Sequence, residues 1–390
     1  MDTDLPYAGE RVIHDADAHI MELPDTLQQF ADPDIRARMV EMDGVPLVGN
    51  MGVDFERLTH KHGSDDYRER ERAELMTRKN WHAAGSYLKE DRPRVLDMLG
   101  FRSQLMFNTF GSAYLVALEH GDDVELTYGV ATAHNRAMAD FCAVDSRLLA
   151  VGYVPLMDFK RAAACAREAL ELGCRALMIP SACPRDHSPS HLKLFPVWER
   201  AQEAGVPIVM HVGGGGRLLS PRYFANGLPM VKDFHGGAEN FRSVDYMAIP
   251  GPPMQSLATM IIDGIFERFP NLKLGVIEQG AIWVPSFMRQ LDAAFEAFRR
   301  HEERLQKLSL KPSEYVTRQV RVTPYPTEDT GWVIREAGEE ICLFSSDYPH
   351  VEGGRNPLKR FDESIAGLSE QARQRFYCDN FLDLMGGAVR

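Results

Sequence analysis

From Arg94 onward the chain alternates short apolar runs with helical stretches, and no other feature restricts its fold as much. Helical sequence at residues 94–99 stops at Gly100 and gives way to SQLMFN at 103–108, the pattern of helix, glycine stop and buried strand. The unit recurs with helix 124–144 before LLAVGYVPL at 148–156, and with helix 162–172, stopped by Gly173, before ALMI at 176–179. Helix 195–204, ended by Gly205, precedes PIVMHV at 207–212; helix 256–269, closed by Pro270, precedes LKLGVIE at 272–278. Two further runs, QVRVT at 319–323 and ICLFS at 341–345, together with VIHDADAHIME at 12–22, bring the strands to eight. Apolar strands separated by helices are covered on both faces and pair in parallel.

The predicted fold is therefore α/β, a (β/α)8 TIM barrel, as a single domain over residues 1–390. A doubly wound open sheet shares the alternation. It leaves unexplained why ionisable residues recur at the C-terminal ends of strands one, five, six and eight, which in a barrel meet at one mouth. Long insertions follow strands 1 and 5. Residues 23–91 read as an insertion or lid, and residues 218–252, rich in Gly and Pro, as a loop covering the mouth. Within the first insertion, His60 and His62 space like a metal pair but sit in a run with Lys61, Gly63, Ser64 and Asp65 that reads as a mobile polar loop. In residues 284–301, Phe287, Leu291, Phe295 and Phe298 recur at helical spacing and read as a core-facing stripe.

Charge narrows the function. The net charge is −12, and Arg299, Arg300 and Arg304 sit among Glu296, Glu302 and Glu303, so nothing offers a nucleic-acid backbone a basic face. The N-terminus MDTDLPYAGE lacks an apolar signal core, and no run reaches the roughly 18 apolar residues of a membrane span. A cytoplasmic protein with a small-molecule substrate is expected. The six cysteines, at 142, 165, 174, 183, 342 and 378, form no C-x-x-C pair and read as reduced, buried thiols.

The chemistry gathers at the strand ends. Asp17 and His19, two apart on an extended strand, project to one face. His211 ends strand five, ahead of Gly213 to Gly216, and Asp347 follows strand eight. Two imidazoles and two carboxylates make a mixed nitrogen and oxygen donor set suited to one divalent ion, Zn²⁺ first and Mn²⁺ second. Glu22 and Glu278 are reserve donors. Each residue alone has a plain structural reading: His211 as a core histidine bonded to backbone, Asp347 as a turn cap before Pro349. Buried together without a cation, however, the carboxylates repel and their desolvation is costly.

The segments DADAHIME at 15–22, MHVGGGG at 210–216, FERFPNLKLGVIEQGAIWVP at 266–285 and FSSDYPHVEGG at 344–354 resemble the amidohydrolase superfamily. Within it they resemble the amidohydrolase-related branch that includes aminocarboxymuconate-semialdehyde decarboxylase and γ-resorcylate decarboxylase. The resemblance spans nearly the whole chain. It implies a divalent metal at the barrel mouth, with ligation by Asp17 and His19 in an acidic-x-His variant of the first-strand motif, by His211, and by Asp347, which binds metal or handles the proton. Glu22 fits a D-x-H-x-x-E form of that motif. Family members are often dimers, so a homodimer is expected.

One departure stands out: where many members place a catalytic histidine at the end of strand six, this chain has Glu278. A buried carboxylate there repels an anionic substrate unless Arg217 or His235 compensates as a substrate-binding residue. His350 is read either as a substrate donor or orienting partner, or as a turn histidine stacked on Tyr348. The leading expectation is a metal-dependent hydrolase acting on a small carboxylic acid, lactone, amide or ring-cleavage product. Asp347 would relay the proton, and His350 and Glu278 would orient substrate or shuttle protons. The alternative is a non-oxidative metal-dependent decarboxylase of an aromatic or muconate-type acid. A metal-free binding or scaffolding barrel is the third reading.

Overall fold

The computed structural model describes residues 5–40, 52–214, 218–229 and 243–389. Seven strands form one parallel sheet in chain order: β1 (His14–His19), β2 (Ser103–Phe107), β3 (Leu148–Tyr153), β4 (Ala176–Met178), β5 (Ile208–His211), β6 (Leu274–Ile277) and β7 (Val320–Val322). Every residue of every strand is buried, which is why these strands read as apolar runs rather than alternations.

The expected eighth strand is present as a closing segment without a regular ladder. Val322 N–H donates to the Ile341 carbonyl and Leu343 N–H to the Val322 carbonyl, both at 2.9 Å, joining it to β7. Ala16 N–H donates to Phe344 O (3.0 Å), Asp347 N–H to Asp17 O (2.9 Å) and His19 N–H to Tyr348 O (2.7 Å), joining it to β1. Only isolated bridges, Val322 to Cys342 and Ala18 to Tyr348, mark the pairing. Phe344 N–H turns away to the carbonyl of Phe376 at 2.9 Å, in the π-helical turn Arg375–Asp379. A π turn interrupts the ordinary helical pairing, and its carbonyl becomes a partner for the last strand. The ring thus closes as a TIM barrel.

The helices lie where glycine and aspartate punctuate the sequence. Gly100 and Gly205 end the helices Arg92–Leu99 and Phe195–Ala204 in left-handed conformation, at φ of 75° and 64°. Asp123 and Asp158 accept from Leu126 N–H and Arg161 N–H to start Val124–Cys142 and Phe159–Glu171.

Three expectations need correction. In the helix Val284–Phe298, Phe287 and Leu291 are core, Phe295 is half-buried and Phe298, the last helical residue, is 53 % exposed. His60 and His62 end the helix Phe55–His62 rather than lying in a loop: His60 is exposed, while His62 is buried and stacked on Tyr67 with ring centroids 4.4 Å apart. They face different surroundings and do not form a pair. Cys183 is exposed, while the other five free cysteines are buried. Among the described residues of the first insertion, Leu27, Ile35, Tyr67 and Leu75 join the main core. Leu58 and Trp81 form a smaller one with Met21. No helix among the described residues is long and apolar enough to cross a membrane.

Candidate metal centre

β1 carries a register shift against β2 between Asp15 and Ala18, the signature of an extra residue in the strand. A bulge re-aims side chains beside it, and here Asp17 and His19 converge beyond it, with Asp17 Oδ1 3.2 Å from His19 Nε2. The His19 ring is held by its other nitrogen, Nδ1, 3.0 Å from the Asn108 carbonyl. His211, the last residue of β5, is held the same way, with Nδ1 2.9 Å from its neighbour's carbonyl on Val212. A carbonyl only accepts, so both Nδ1 atoms carry protons, and in the neutral rings both Nε2 atoms present lone pairs. His211 Nε2 lies 3.4 Å from Asp17 Oδ1.

Two carboxylates complete the cluster. Glu278 follows β6 at a φ of 52°. Its N–H donates to Thr323 Oγ1 (2.7 Å), its carbonyl accepts from Tyr325 Oη (2.6 Å), and its Oε2 lies 3.3 Å from His211 Nε2 and 3.9 Å from His19 Nε2. Asp347, also at a φ of 52°, places Oδ1 3.5 Å from His19 Nε2 and 3.2 Å from His350 Nδ1. Gly353 packs against this turn so closely that a Cβ there would lie 2.1 Å from the Ser346 carbonyl.

The ligand atoms of Asp17, His19, His211 and Glu278 all lie within 4.8 Å of one another, as do those of His19, Glu278, Asp347 and His350, and every one of these residues is buried. The donor set fits a divalent cation on the structure's own terms. His19 Nε2 and both oxygens of Asp347 are buried without a hydrogen-bond partner among the described residues, and lone pairs facing one another at these distances repel. Burial pushes the Asp17 carboxyl up, but hydrogen bonding and charge from His19 and His211 outweigh it and hold it below the usual carboxylate range. A neutral His19 does not supply its part of that charge: burial first, then His350, pushes its imidazole down to about 3. A cation among these atoms resolves both demands, and the carbonyl-bound Nδ1 atoms orient the imidazoles for it as in known metal sites.

His350 stands beside Asp347 in the second of these groups. Its Nε2 is 2.8 Å from Thr109 Oγ1, whose own proton goes to the Ile20 carbonyl at 2.8 Å. This assigns a proton to Nε2 and leaves Nδ1 facing Asp347 Oδ1 at 3.2 Å. Burial pushes the Asp347 carboxyl up to about 7 in spite of His350. The His350 ring stacks on His19, centroids 3.9 Å apart, while its backbone N–H closes a turn onto the Asp347 carbonyl at 2.7 Å.

Glu22 is not brought into the cluster. Its carboxylate accepts from three successive backbone N–H groups, Thr109 at 2.8 Å, Phe110 at 3.2 Å and Gly111 at 3.1 Å, and so anchors the start of the helix Gly111–Glu119. With its oxygens committed to these donors, it shapes the loop that carries Thr109. Arg217 and His235, the expected substrate-binding residues, lie outside the described residues.

Two charged groups were missed by the sequence reading. Lys79 Nζ and both oxygens of Glu352 are buried without a hydrogen-bond partner among the described residues. Burial pushes the Lys79 ammonium down, and the charges of Asp347 and Glu352 oppose this. Glu352 lines a narrow cavity with Asp17, Glu278, Thr323, Tyr325 and Asp347. Asn80, next to Lys79, donates its N–H to Pro349 O at 2.9 Å, which ties the first insertion to the turn carrying His350. No sequence spacing marks Lys79. Asp15 could have been found by extending the period of two back from His19 and Asp17.

Comparison with known proteins agrees with this architecture. The chain is 24 % identical over 197 residues to 2-amino-3-carboxymuconate-6-semialdehyde decarboxylase of Dictyostelium discoideum, a match covering 50 % of this chain and 48 % of that protein. The match therefore spans about half the length of the curated relative. An amidohydrolase from Mycobacterium avium subsp. paratuberculosis superposes with a TM-score of 0.72 at 25 % identity, over 97 % of this chain and 100 % of that one. A 5-carboxyvanillate decarboxylase from Novosphingobium aromaticivorans, crystallised with manganese and 4-hydroxy-3-methoxy-5-nitrobenzoic acid, has the same fold at a TM-score of 0.63, 18 % identity and 99 % coverage of both chains. The family model described as Amidohydrolase matches residues 15–384, and the chain belongs to that family.

Proposed function

We propose that this chain is a metal-dependent, non-oxidative decarboxylase of an aromatic or muconate-type acid. The observation that carries the reading is the Asp347 and His350 pair, 3.2 Å apart within a buried donor cluster, where it is placed to hold and deliver a proton. Decarboxylation needs a proton delivered to carbon: the C–C bond to the carboxylate breaks, its electron pair stays on the carbon, a C–H bond forms there, and CO₂ leaves. A bound divalent ion supplies a positive centre for the substrate's oxygen atoms and for the charge that develops on them. Asp17, His19, His211 and Glu278 would hold it, with Asp347 and His350 beside them.

The hydrolase expectation gives way to this reading. Two of the relatives above are decarboxylases by name. The objection that Glu278 repels an anionic substrate is met by its place among the ligand atoms, where its charge is offset by the ion. Lys79 supplies a further positive charge beside Asp347 and Glu352 and is assigned the substrate carboxylate. Manganese is preferred to zinc, because Asp347 adds a third carboxylate beside the two carboxylates and two imidazoles of the set, and oxygen donors suit the harder ion.

The test is CO₂ release from a panel of hydroxybenzoates, carboxyvanillates and muconate semialdehydes, with and without chelator. Stoichiometric CO₂ and the matching decarboxylated product are expected. Turnover of esters, lactones or amides without CO₂ would restore the hydrolase reading.

A further inference from the structure

A buried polar chain runs beneath the metal ligands and does not touch the cavity. Arg92 is completely buried, and its hydrogen bonds among the described residues go to carbonyl, amide and thioether acceptors rather than to a carboxylate. Its Nη1 donates to the His19 carbonyl at 3.1 Å and to the Gly85 carbonyl at 3.2 Å, and its Nε donates to Gln104 Oε1 at 3.1 Å. The other end of that amide, Gln104 Nε2, donates to Asp15 Oδ2 at 2.8 Å. Asp15, also completely buried, accepts in addition from Ser346 N–H (2.8 Å), Ser346 Oγ (2.6 Å) and Asp17 N–H (3.3 Å). Ser346 Oγ then accepts from Tyr348 N–H at 3.1 Å, and Tyr348 Oη donates to Ala84 O at 2.7 Å.

All four contacts to Asp15 are donors, and the single amide of Gln104 links its carboxyl group to the Arg92 guanidinium. A side-chain amide is suited to this, presenting an acceptor to the guanidinium and a donor to the carboxylate. The chain also stands where the barrel is weakest. The eighth segment pairs with its neighbours through isolated bridges and scattered backbone hydrogen bonds rather than a regular ladder, and the left-handed turn at Asp347 interrupts its extended course. Asp15 takes the N–H of Ser346, which a regular strand partner would otherwise satisfy. Arg92 takes the carbonyl of His19.

We infer that Arg92, Gln104 and Asp15 form a positioning relay that locks the backbones of His19 and Asp347 in register and thereby sets the affinity of the centre for its ion. None of the three offers a ligand atom to the cluster. They act through the residues on either side of it, as outer partners of metal ligands do.

The inference rests on the metal-centre reading, so the unmodified chain is titrated in parallel. The probe is Mn²⁺ alone, followed by electron paramagnetic resonance well below the melting temperature of each protein. Gln104→Met keeps length and neutrality and removes the bridge. It should stay folded by circular dichroism and raise the Mn²⁺ dissociation constant about 10–100-fold. Arg92→Lys keeps the charge but cannot reach all three acceptors, and should weaken binding in the same direction. The double variant should lose little more than the weaker single, because both break one chain. If Gln104→Met does not fold, Ser346→Ala carries the test by removing one Asp15 donor, and an affinity loss of at least threefold is expected. A folded Gln104→Met with wild-type Mn²⁺ affinity, additive losses in the double variant, or unchanged affinity in Ser346→Ala would overturn the relay alone. Absence of Mn²⁺ binding by the unmodified chain would overturn the metal centre with it.

Discussion

Glu278 and Asp347 end different strands of the barrel, yet share one backbone state: each has a φ of 52°, and each aims a carboxylate at His19 Nε2, from 3.9 and 3.5 Å. For a residue with a Cβ this left-handed conformation costs on the order of 1 kcal/mol or more and persists where surrounding structure enforces it. Thr323 and Tyr325 enforce it at Glu278, and the approach of Gly353 does so at Asp347.

Glycine at position 278 should therefore trade function for stability. Glu278→Gly removes both the strain and a carboxylate repelled by its neighbours, so the metal-free protein should gain roughly 1 kcal/mol, read by calorimetry. Mn²⁺ affinity should fall at least tenfold in the same protein. A variant that is both less stable and equally tight for Mn²⁺ would show that Glu278 is neither strained nor a ligand.

Lys79 is expected to bind the substrate's carboxylate. Lys79→Met should raise KM for an acid substrate about 10–100-fold, the loss expected when a charge-assisted hydrogen bond worth roughly 1.5–3 kcal/mol disappears, with Mn²⁺ content unchanged. Binding of an uncharged analogue should be unaffected. Equal weakening for charged and uncharged ligands would assign Lys79 to packing.

His350 separates proton delivery from metal binding. His350→Gln removes the imidazole next to Asp347 and should lower kcat by about 10²–10⁴ while the ion is retained. Loss of the ion in this variant would move His350 from proton carrier to ligand.

His134, far in sequence from the ligands, provides a stability test. It is 2 % exposed with Nε2 unpartnered, and burial pushes its pKa down from 6.5 to about 4. The unfolded chain then binds the proton first, so the contribution is complete above pH 6.5 and is lost as pH falls toward 4. The shift corresponds to about 3 kcal/mol. His14 and His62, also pushed down to about 4 by burial, act in the same direction. Unfolding free energy should decline over this window and decline less in His134→Gln; identical pH profiles would mean that His134 is already charged or solvated in the folded protein.

The barrel was legible because its strands are buried on both faces and its helices carry their own stops. Strand ends then pointed to Asp17, His19, His211 and Asp347, which the structure brings together. Glu22 misled because the D-x-H-x-x-E spacing says nothing about where the strand stops. β1 ends at His19, and three residues on, the carboxylate faces a row of backbone donors. Glu278 was located but not placed, since its direction depends on a positive φ that glycine usually signals and glutamate does not. Lys79 was invisible for a similar reason: the fold of the first insertion around Trp81, rather than any local pattern, carries it to Asp347.

Metal analysis is the most direct measurement. Purified protein dialysed against Mn²⁺ should hold one ion per chain, and His211→Ala, which deletes the Nε2 donor at the end of β5, should hold none and release no CO₂ from any acid in the panel. Fewer than about 0.1 ion per wild-type chain, when a preformed site of four or more ligands should bind tightly, or a His211→Ala protein that keeps both ion and activity, would contradict the account.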